Sequence, residues 1–183
     1  AHHMNRLISD LTDLGQIDAG RFAIELASQD VMLLVRQVVD TLQTAAARQR
    51  SEIRMNVVGT IPQVVCDGDR VIQVLSNLAS NAIKVGAPLV TIHVEARRQD
   101  ALFTVSDTGP GIAPEDLPLM FDRYWRARAA RYKGTGLGLP ISKGIIDAHG
   151  RVTARLSLDA VGFLDGALPV ALPPTPYARW GDR

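Results

Sequence analysis

The chain of 183 residues is long enough for one compact domain with a substantial apolar core and a short helical appendage. Its 20 Lys and Arg nearly balance 19 Asp and Glu, so the net charge of +1 gives no global field to attract nucleic acid or an acidic membrane, and any anion site must be local. A single cysteine, Cys66, admits no internal disulfide and reads as an ordinary small residue. No run approaches the roughly 20 apolar residues that span a bilayer, and the N-terminus lacks the regions of a signal peptide. A cytoplasmic location is the default, and any membrane anchor belongs to sequence outside this chain. Residues Ala1-His2-His3-Met4 read as the scar of an affinity tag, and the two histidines are not taken as metal ligands.

In chain order, Leu7, Ile8, Leu11 and Leu14 recur at helical spacing and predict a helix from Asn5 to Leu14, with Gly15 able to stop it. Asp30 precedes a second helix, Val31 to Arg48, whose buried face takes Leu34, Val35, Val38, Val39, Leu42 and Ala46. Ile53 to Val58 reads as a strand and Gly59 to Pro62 as a turn. Asp69 is expected to cap a third helix that runs to about Val85. Val90 to Ala96 and Leu102 to Ser106 alternate like half-buried antiparallel strands, joined by a turn at Arg97 to Asp100. The stretch from Gly109 to Gly138 is too long and irregular for an ordinary connection and reads as a lid. A fourth helix follows from about Leu139 to Ala148, closed by Gly150, with strands near Val152 to Leu158 and Ala167 to Leu172. Pro169 directs the last strand to a sheet edge, and the proline-rich tail beyond Pro173 is expected to fray.

Three stretches depart from ordinary patterning. In the third helix Arg70, Gln73, Asn77, Asn81 and Lys84 fall within an arc of roughly 80°, opposite Val71, Leu75, Leu78, Ala79 and Ala82. The stripe is either a solvated face or a polar face with a purpose. Two asparagines one turn apart are mediocre helix formers, and Asn-x-x-x-Asn-x-x-Lys supplies amide oxygens for a hard cation and an ammonium for phosphate. Asp107-Thr108-Gly109-Pro110-Gly111-Ile112 is either a plain turn or a carboxylate able to accept from an exocyclic amine, with glycines that let a ring approach the backbone. Gly134-Thr135-Gly136-Leu137-Gly138-Leu139 is either a hinge or a phosphate cradle of main-chain N–H groups at a helix start. A dinucleotide-binding fingerprint is disfavoured because a basic segment, Arg126 to Lys133, precedes it in place of a strand. A Walker loop fails because the four residues after Gly138, Leu139 to Ser142, lead to Lys143-Gly144 where Gly-Lys followed by Ser or Thr is required.

In order and spacing these motifs resemble the family that contains histidine kinases, type II topoisomerases, mismatch-repair ATPases and the Hsp90 chaperones, and the histidine kinases within it. Asn77 to Lys84 resembles the N box, Asp107 to Ile112 the G1 box, Phe121-Asp122-Arg123-Tyr124 the F box and Gly134 to Leu139 the G2 box. Leu7 to Gly20 is similar to the end of a dimerisation helix and its linker. The resemblance implies a two-layer α/β sandwich, with a mixed sheet of about five strands and three helices on one face. Its parts are a remnant helix and linker at 5–20, an ATP-binding domain at 21–173 and a tail at 174–183. It implies ATP and Mg²⁺ as ligands. Asn81 would hold the metal, Asn77 and Lys84 would face the phosphates, and Asp107 would read the adenine amine. Gly109 and Gly111, with Ile112, would shape the base pocket. Gly136 and Gly138, with Gly134, Thr135, Leu137 and Leu139, would form the phosphate bed. Arg126 would meet the γ-phosphate, and Phe121 would anchor the lid, while exposed Tyr124 and Trp125 would either pack beneath it, the favoured reading, or touch a partner domain.

The implied activity is that of an ATP-dependent protein-histidine kinase. The γ-phosphoryl group would pass to a histidine on an upstream dimerisation and phosphoacceptor domain, then to the receiver domain of a response regulator, with no nucleic acid and no direct membrane contact. Two departures stand out. Val85-Gly86-Ala87-Pro88 replaces the family's aromatic residue and Pro-Gly turn, and no His-Glu or His-Asp dipeptide occurs. His93 reads as a satisfied strand imidazole and His149 as a partner of its helix dipole, so no autophosphorylation is expected. A nucleotide-dependent interaction module that docks a partner without transfer is the alternative, and an ATP-driven clamp of the topoisomerase or chaperone kind is a third.

Overall fold

The computed structural model describes residues 2–61, 63–96, 100–126, 134–148 and 164–169. Helix α1 (His2–Asp18) leads into a short strand β1 (Ala27–Gln29) and helix α2 (Val31–Arg48). Strands β2 (Glu52–Val58) and β3 (Val64–Cys66) precede helix α3 (Gly68–Lys84). Strands β4 (Leu89–Ala96) and β5 (Asp100–Asp107) form the hairpin, followed by a 3-10 turn at Leu117–Leu119, helix α4 (Gly138–Ala148) and strand β6 (Leu164–Pro169). The main sheet has the order β2-β4-β5-β6, and β1 pairs with β3 in a separate two-stranded ribbon. Because β2 runs parallel to β4 while β4–β5 and β5–β6 are antiparallel, the sheet is mixed, as expected.

One face of this sheet is apolar. Val90, Ile92 and Val94 of β4 alternate with Thr91, His93 and Glu95, and the register places Ile92 opposite both Met55 and Val105. Phe103 and Val105 continue the inner face, and α2 and α3 lie across it through Leu34, Val35, Val38, Val71, Leu75 and Ala79. Fully buried side chains such as Val35, Val38, Ile92 and Val94 each contribute about 1.5–3 kcal/mol by leaving water. Helix α4 forms a smaller cluster of Leu137, Ile141 and Ile145 with Leu14 of α1, flanked by Phe22 and Val74. His93 is satisfied as expected: its Nδ1 accepts from the Asn56 amide at 3.1 Å, which leaves Nε2–H to face Ser106 Oγ at 3.1 Å.

Several boundaries are corrected. Helix α1 passes through Gly15 and runs to Asp18, because Leu14 and Ile17 pack on α4 and tertiary contact outweighs the roughly 1 kcal/mol propensity cost of a glycine. It ends where Gly20 N–H donates to Ile17 O at 3.0 Å and Arg21 N–H to Gln16 O at 2.9 Å. The cap of α3 is Asp67, with extended backbone, and not Asp69. Its Oδ1 accepts from Arg70 N–H at 3.1 Å, while its Oδ2 accepts from Glu25 N–H at 3.0 Å. Asp69 sits inside the first turn, where its charge suits the helix dipole. The final strand begins at Leu164, three residues before the expected Ala167, and lies at the edge of the described sheet. The expected strand Val152 to Leu158, the turn at 97–99, Pro62, His149, Gly150, residues 170–172 and the tail lie outside the described residues.

Candidate functional site

Helix α3 carries the polar stripe, and the structure divides it in two. Toward its N-terminus, Arg70 donates to Asp13 Oδ1 at 3.0 Å and to Gln73 Oε1 at 2.8 Å, and Gln73 donates to Asp13 Oδ2 at 2.7 Å. The guanidinium of Arg70 also lies 4.5 Å from the ring centre of Phe22. That half of the stripe holds α1 and the following segment, a use the sequence reading did not anticipate. Toward the C-terminus, Asn77 is buried, with Asn81 and Lys84 half-buried on the same side. The Asn77 amide donates to Gly138 O at 3.3 Å and faces Ser142 Oγ at 3.4 Å, which joins the Asn-rich segment to the start of α4 across 61 residues of sequence.

The far end of α3 meets the Asp107 turn. Gly86, at φ +83°, closes the helix, with its N–H on Ile83 O at 3.0 Å and Ala87 N–H on Ala82 O at 3.2 Å. The Val85-Gly86-Ala87-Pro88 departure therefore still makes a tight helix stop. A Cβ at Gly109 would lie 3.3 Å from Ala87 Cβ and 3.4 Å from Val85 Cγ2, so these residues form the wall against which the turn packs. The turn is fixed to the sheet as well: Thr108 N–H donates to Leu89 O at 3.0 Å and Thr108 Oγ1 accepts from Leu89 N–H at 3.1 Å. Asp107 is half-buried, and its Oδ1 accepts from Gly109 N–H at 2.7 Å. Burial pushes its carboxyl above the ordinary aspartate value, and the Gly109 N–H opposes part of that rise. Gly111 has φ +76° in an exposed stretch, followed by half-buried Ile112.

The lid segment returns to the same place. Tyr124 N–H donates to Gly136 O at 3.0 Å. Gly136 has φ +69°, and a Cβ there would stand 2.7 Å from Tyr124 backbone atoms, so this crossing requires glycine. Leu137 is fully buried beside Thr135, whose hydroxyl accepts from Leu137 N–H at 3.3 Å, and Leu139 is half-buried. Gly134 and Arg126 are exposed at the two ends of the basic stretch 127–133, which lies outside the described residues. The expectation that Tyr124 packs beneath the lid is corrected: it is 64% exposed, because its backbone at φ +61° turns it outward while its amide reaches Gly136. Trp125 is half-buried, and burial at the base of the segment is deeper at Met120 than at Phe121.

The Asn-rich segment thus touches the G1-like turn through Val85 and Ala87 and the G2-like turn through Asn77, and the F-box-like segment touches the G2-like turn through Tyr124. Cys66 is fully buried, and burial with the neighbouring Asp67 charge raises its thiol to about 11, which keeps it protonated and unreactive at neutral pH. No group of three His, Cys, Asp or Glu able to hold a metal occurs among the described residues. No helix of the described residues is long and apolar enough to cross a membrane.

The profile of the histidine kinase-, DNA gyrase B-, and HSP90-like ATPase family matches residues 66–163, more than half of the chain. The chain belongs to this family. Within it, the chain is similar to histidine kinases. The circadian input-output histidine kinase CikA of Synechococcus elongatus is 32% identical over 155 residues, 81% of this chain and 21% of that protein. The signal transduction histidine-protein kinase/phosphatase MprB of Mycolicibacterium vanbaalenii is 35% identical over 187 residues, 98% of this chain and 37% of that protein. Among solved structures, full-length ShkA in complex with AMPPNP superposes with a TM-score of 0.75 at 27% identity, covering 93% of this chain and 37% of that one. The chain spans between 21% and 37% of the length of these proteins. The chain thus carries the fold its sequence implied, a two-layer α/β sandwich with a mixed sheet.

Two features of the domain escaped sequence reading. Ser142 has a fully buried hydroxyl within the apolar face Ile141, Ile145 and Ile146 of α4, an oddity visible in the sequence but without a partner until α3 is in place. Thr108 anchors the Asp107 turn to β4, a role that only the strand pairing reveals.

Proposed function

We propose that this domain binds ATP with Mg²⁺ where α3, the Asp107 turn and the Gly134–Gly138 segment meet, and that it transfers the γ-phosphoryl group to a histidine on an upstream helical domain. The phosphoryl group then passes to an aspartate in the receiver domain of a response regulator, in a receptor whose kinase part lies in the cytoplasm. The observation that carries the reading is the link from the Asn77 amide to Gly138 O, which brings the amide-bearing stripe to the glycine-rich helix start. Main-chain N–H groups of Gly136 and Gly138 supply donors at a helix N-terminus for phosphate oxygens, helped by the helix dipole. Asp107, whose Oδ2 has no hydrogen-bond partner among the described residues, accepts from the adenine amine while Gly109, Gly111 and Ile112 frame the ring.

Asn81 fits a magnesium ligand. Its half-buried amide has no hydrogen-bond partner among the described residues, and a neutral oxygen suits an ion that keeps water and phosphate oxygens around it. The bound ion neutralises phosphate charge. Asn77 and Lys84 orient the phosphates and Arg126 meets the γ-phosphate. The reaction breaks the bond from γ-phosphorus to its bridging oxygen, leaves ADP, and forms a P–N bond on the acceptor imidazole, whose proton goes to a base beside it. Positioning and charge neutralisation supply most of such a rate enhancement. With no acceptor dipeptide in the sequence, the domain binds ATP without phosphorylating itself.

Titration with AMPPNP and Mg²⁺ tests the site. Asn81→Ala is expected to weaken magnesium-dependent binding, and Asp107→Ala to erode the preference for adenine over guanine. Mixing the domain with labelled ATP and a histidine-bearing helical partner, its own ATP site disabled, tests the reaction. Transfer in trans supports the kinase. Intact binding without transfer favours the interaction module instead.

A further inference from the structure

Strands β4 and β5 pair in a register that sets Val90 opposite Asp107, so the next rung sets Leu89 opposite Thr108. Antiparallel partners at such a rung exchange two main-chain hydrogen bonds. Thr108 N–H does donate to Leu89 O at 3.0 Å, but Leu89 N–H is taken by the Thr108 hydroxyl at 3.1 Å, whose own proton faces Leu89 O at 3.5 Å. The side chain stands in for its own carbonyl, and the chain leaves the sheet one residue beyond Asp107. Leu89 is in register with Glu52 of β2 on its other side, so the anchor is itself fixed. A tight turn follows, in which Asp107 Oδ1 accepts from Gly109 N–H at 2.7 Å. Room there is short, since a Cβ at Gly109 would stand 2.7 Å from the same Oδ1 and 3.3 Å from Ala87 Cβ. The carboxylate is thus held by a turn whose start is set by the Thr108 hydroxyl and whose far side is set by Ala87.

We infer that Thr108 is a positioning residue for base specificity: by closing the last rung of β4 and β5 with its hydroxyl, it fixes where the chain turns and so where the Asp107 carboxylate stands to receive an exocyclic amine. The inference rests on the adenine reading of Asp107 given above. Adenine carries an amine where guanine carries a carbonyl oxygen, and a carboxylate accepts from the first and repels the second. Released from the rung, the turn lets the carboxylate shift. Adenine binding weakens and the exclusion of guanine relaxes, whereas a fold that merely loosens weakens both nucleotides together.

The test compares the parent with Thr108→Val, which keeps the branched shape and loses the hydroxyl, and Thr108→Ser, which keeps the hydroxyl. Binding of AMPPNP and of its guanine counterpart GMPPNP is measured with Mg²⁺, beside hydrogen exchange of Leu89 N–H in the nucleotide-free protein. Thr108→Val is expected to reduce the adenine-over-guanine ratio about threefold, the low end for one hydrogen bond because Thr108 is exposed and water reaches this rung. Leu89 N–H exchanges faster in that variant, and Thr108→Ser restores both readings. In an Asp107→Ala background the valine substitution leaves the ratio unchanged, since Thr108 acts through that carboxylate. A ratio unmoved by Thr108→Val, equal weakening of both nucleotides, or an effect that persists without the Asp107 carboxylate overturns the proposal. A parent with no preference for adenine overturns the Asp107 reading itself, a failure distinct from a preference that survives Thr108→Val.

Discussion

Arg70 of α3 reaches across to Asp13 of α1 at 3.0 Å, and the Asp13 carboxylate is almost wholly shielded from solvent. A second donor, Gln73, completes its environment. Removing the arginine leaves a buried carboxylate with one neutral partner, which costs more than the pair itself contributes. Arg70→Ala is expected to destabilise the domain by about 1–3 kcal/mol in urea unfolding, part of it through lost packing on Phe22. Asp13→Asn, which keeps the shape and loses the charge, costs less. Equal stability of Arg70→Ala and the parent is the contrary result.

Gly136 stands in left-handed backbone directly against the Tyr124 main chain. Alanine there carries about 1–2 kcal/mol of backbone strain before any clash is counted. Gly136→Ala is expected to lower AMPPNP affinity at least about tenfold while the far-ultraviolet circular dichroism spectrum stays as in the parent, since the strained crossing lies outside the sheet and the long helices. Unchanged affinity would show that this crossing is not needed for binding.

Asp107 links binding to pH. Its carboxyl titrates above the ordinary aspartate value because of burial, so the folded state binds this proton more tightly than the unfolded state does. The ionisation penalty is absent below the ordinary value, grows as pH rises between the two values, and is complete above the raised one. Asp107→Asn is expected to raise the thermal stability of the nucleotide-free domain at neutral pH. The same substitution weakens adenine nucleotide binding about tenfold, because a neutral acceptor replaces a charged one. In the parent, affinity declines on acidification from a higher pH than an ordinary aspartate would give, and the asparagine variant lacks that decline. Identical pH profiles for the two proteins contradict the assignment.

The junction after α2 holds two local violations. Arg50 occupies left-handed backbone at φ +57°, where α1 and α3 use Gly20 and Gly86, and the Ser51 hydroxyl is buried with no partner among the described residues. Arg50→Gly is expected to stabilise the domain by about 0.5–1 kcal/mol, the left-handed penalty less the extra chain entropy of glycine. Ser51→Ala is expected to be neutral or stabilising by up to about 1 kcal/mol. Thermal unfolding of each variant, both far from the nucleotide residues in sequence, measures these effects without confusion from ligand.

Much of the fold was legible where the signal is local. The α2 stripe and its Asp30 cap coincide in sequence, and Asp30 does accept from Met32 and Leu33 N–H. The β4–β5 hairpin announced itself by alternation. What stayed hidden depends on distant chain. Three-residue strands β1 and β3 are too short to show a period and exist because they pair across more than thirty residues. Gly15 reads as a stop until α4 offers Gly144 to Ile17, and the choice of Asp67 over Asp69 follows from extended backbone at the end of β3. The motif strings around Asn77, Asp107 and Gly136 were readable as strings. The division of the α3 stripe was not, because nothing in the residues of one helix says which of its turns will meet Asp13 and which Gly138.

That division has a mechanical result. Over 17 residues a straight helix behaves as a short stiff rod of about 25 Å, bending far less than the loops at its ends. Gln73 grips α1 and Asn77 grips the glycine segment one turn apart on that rod. The contact with α1 and the contact with the glycine segment are therefore carried by adjoining turns of one rigid element, with no loop between them.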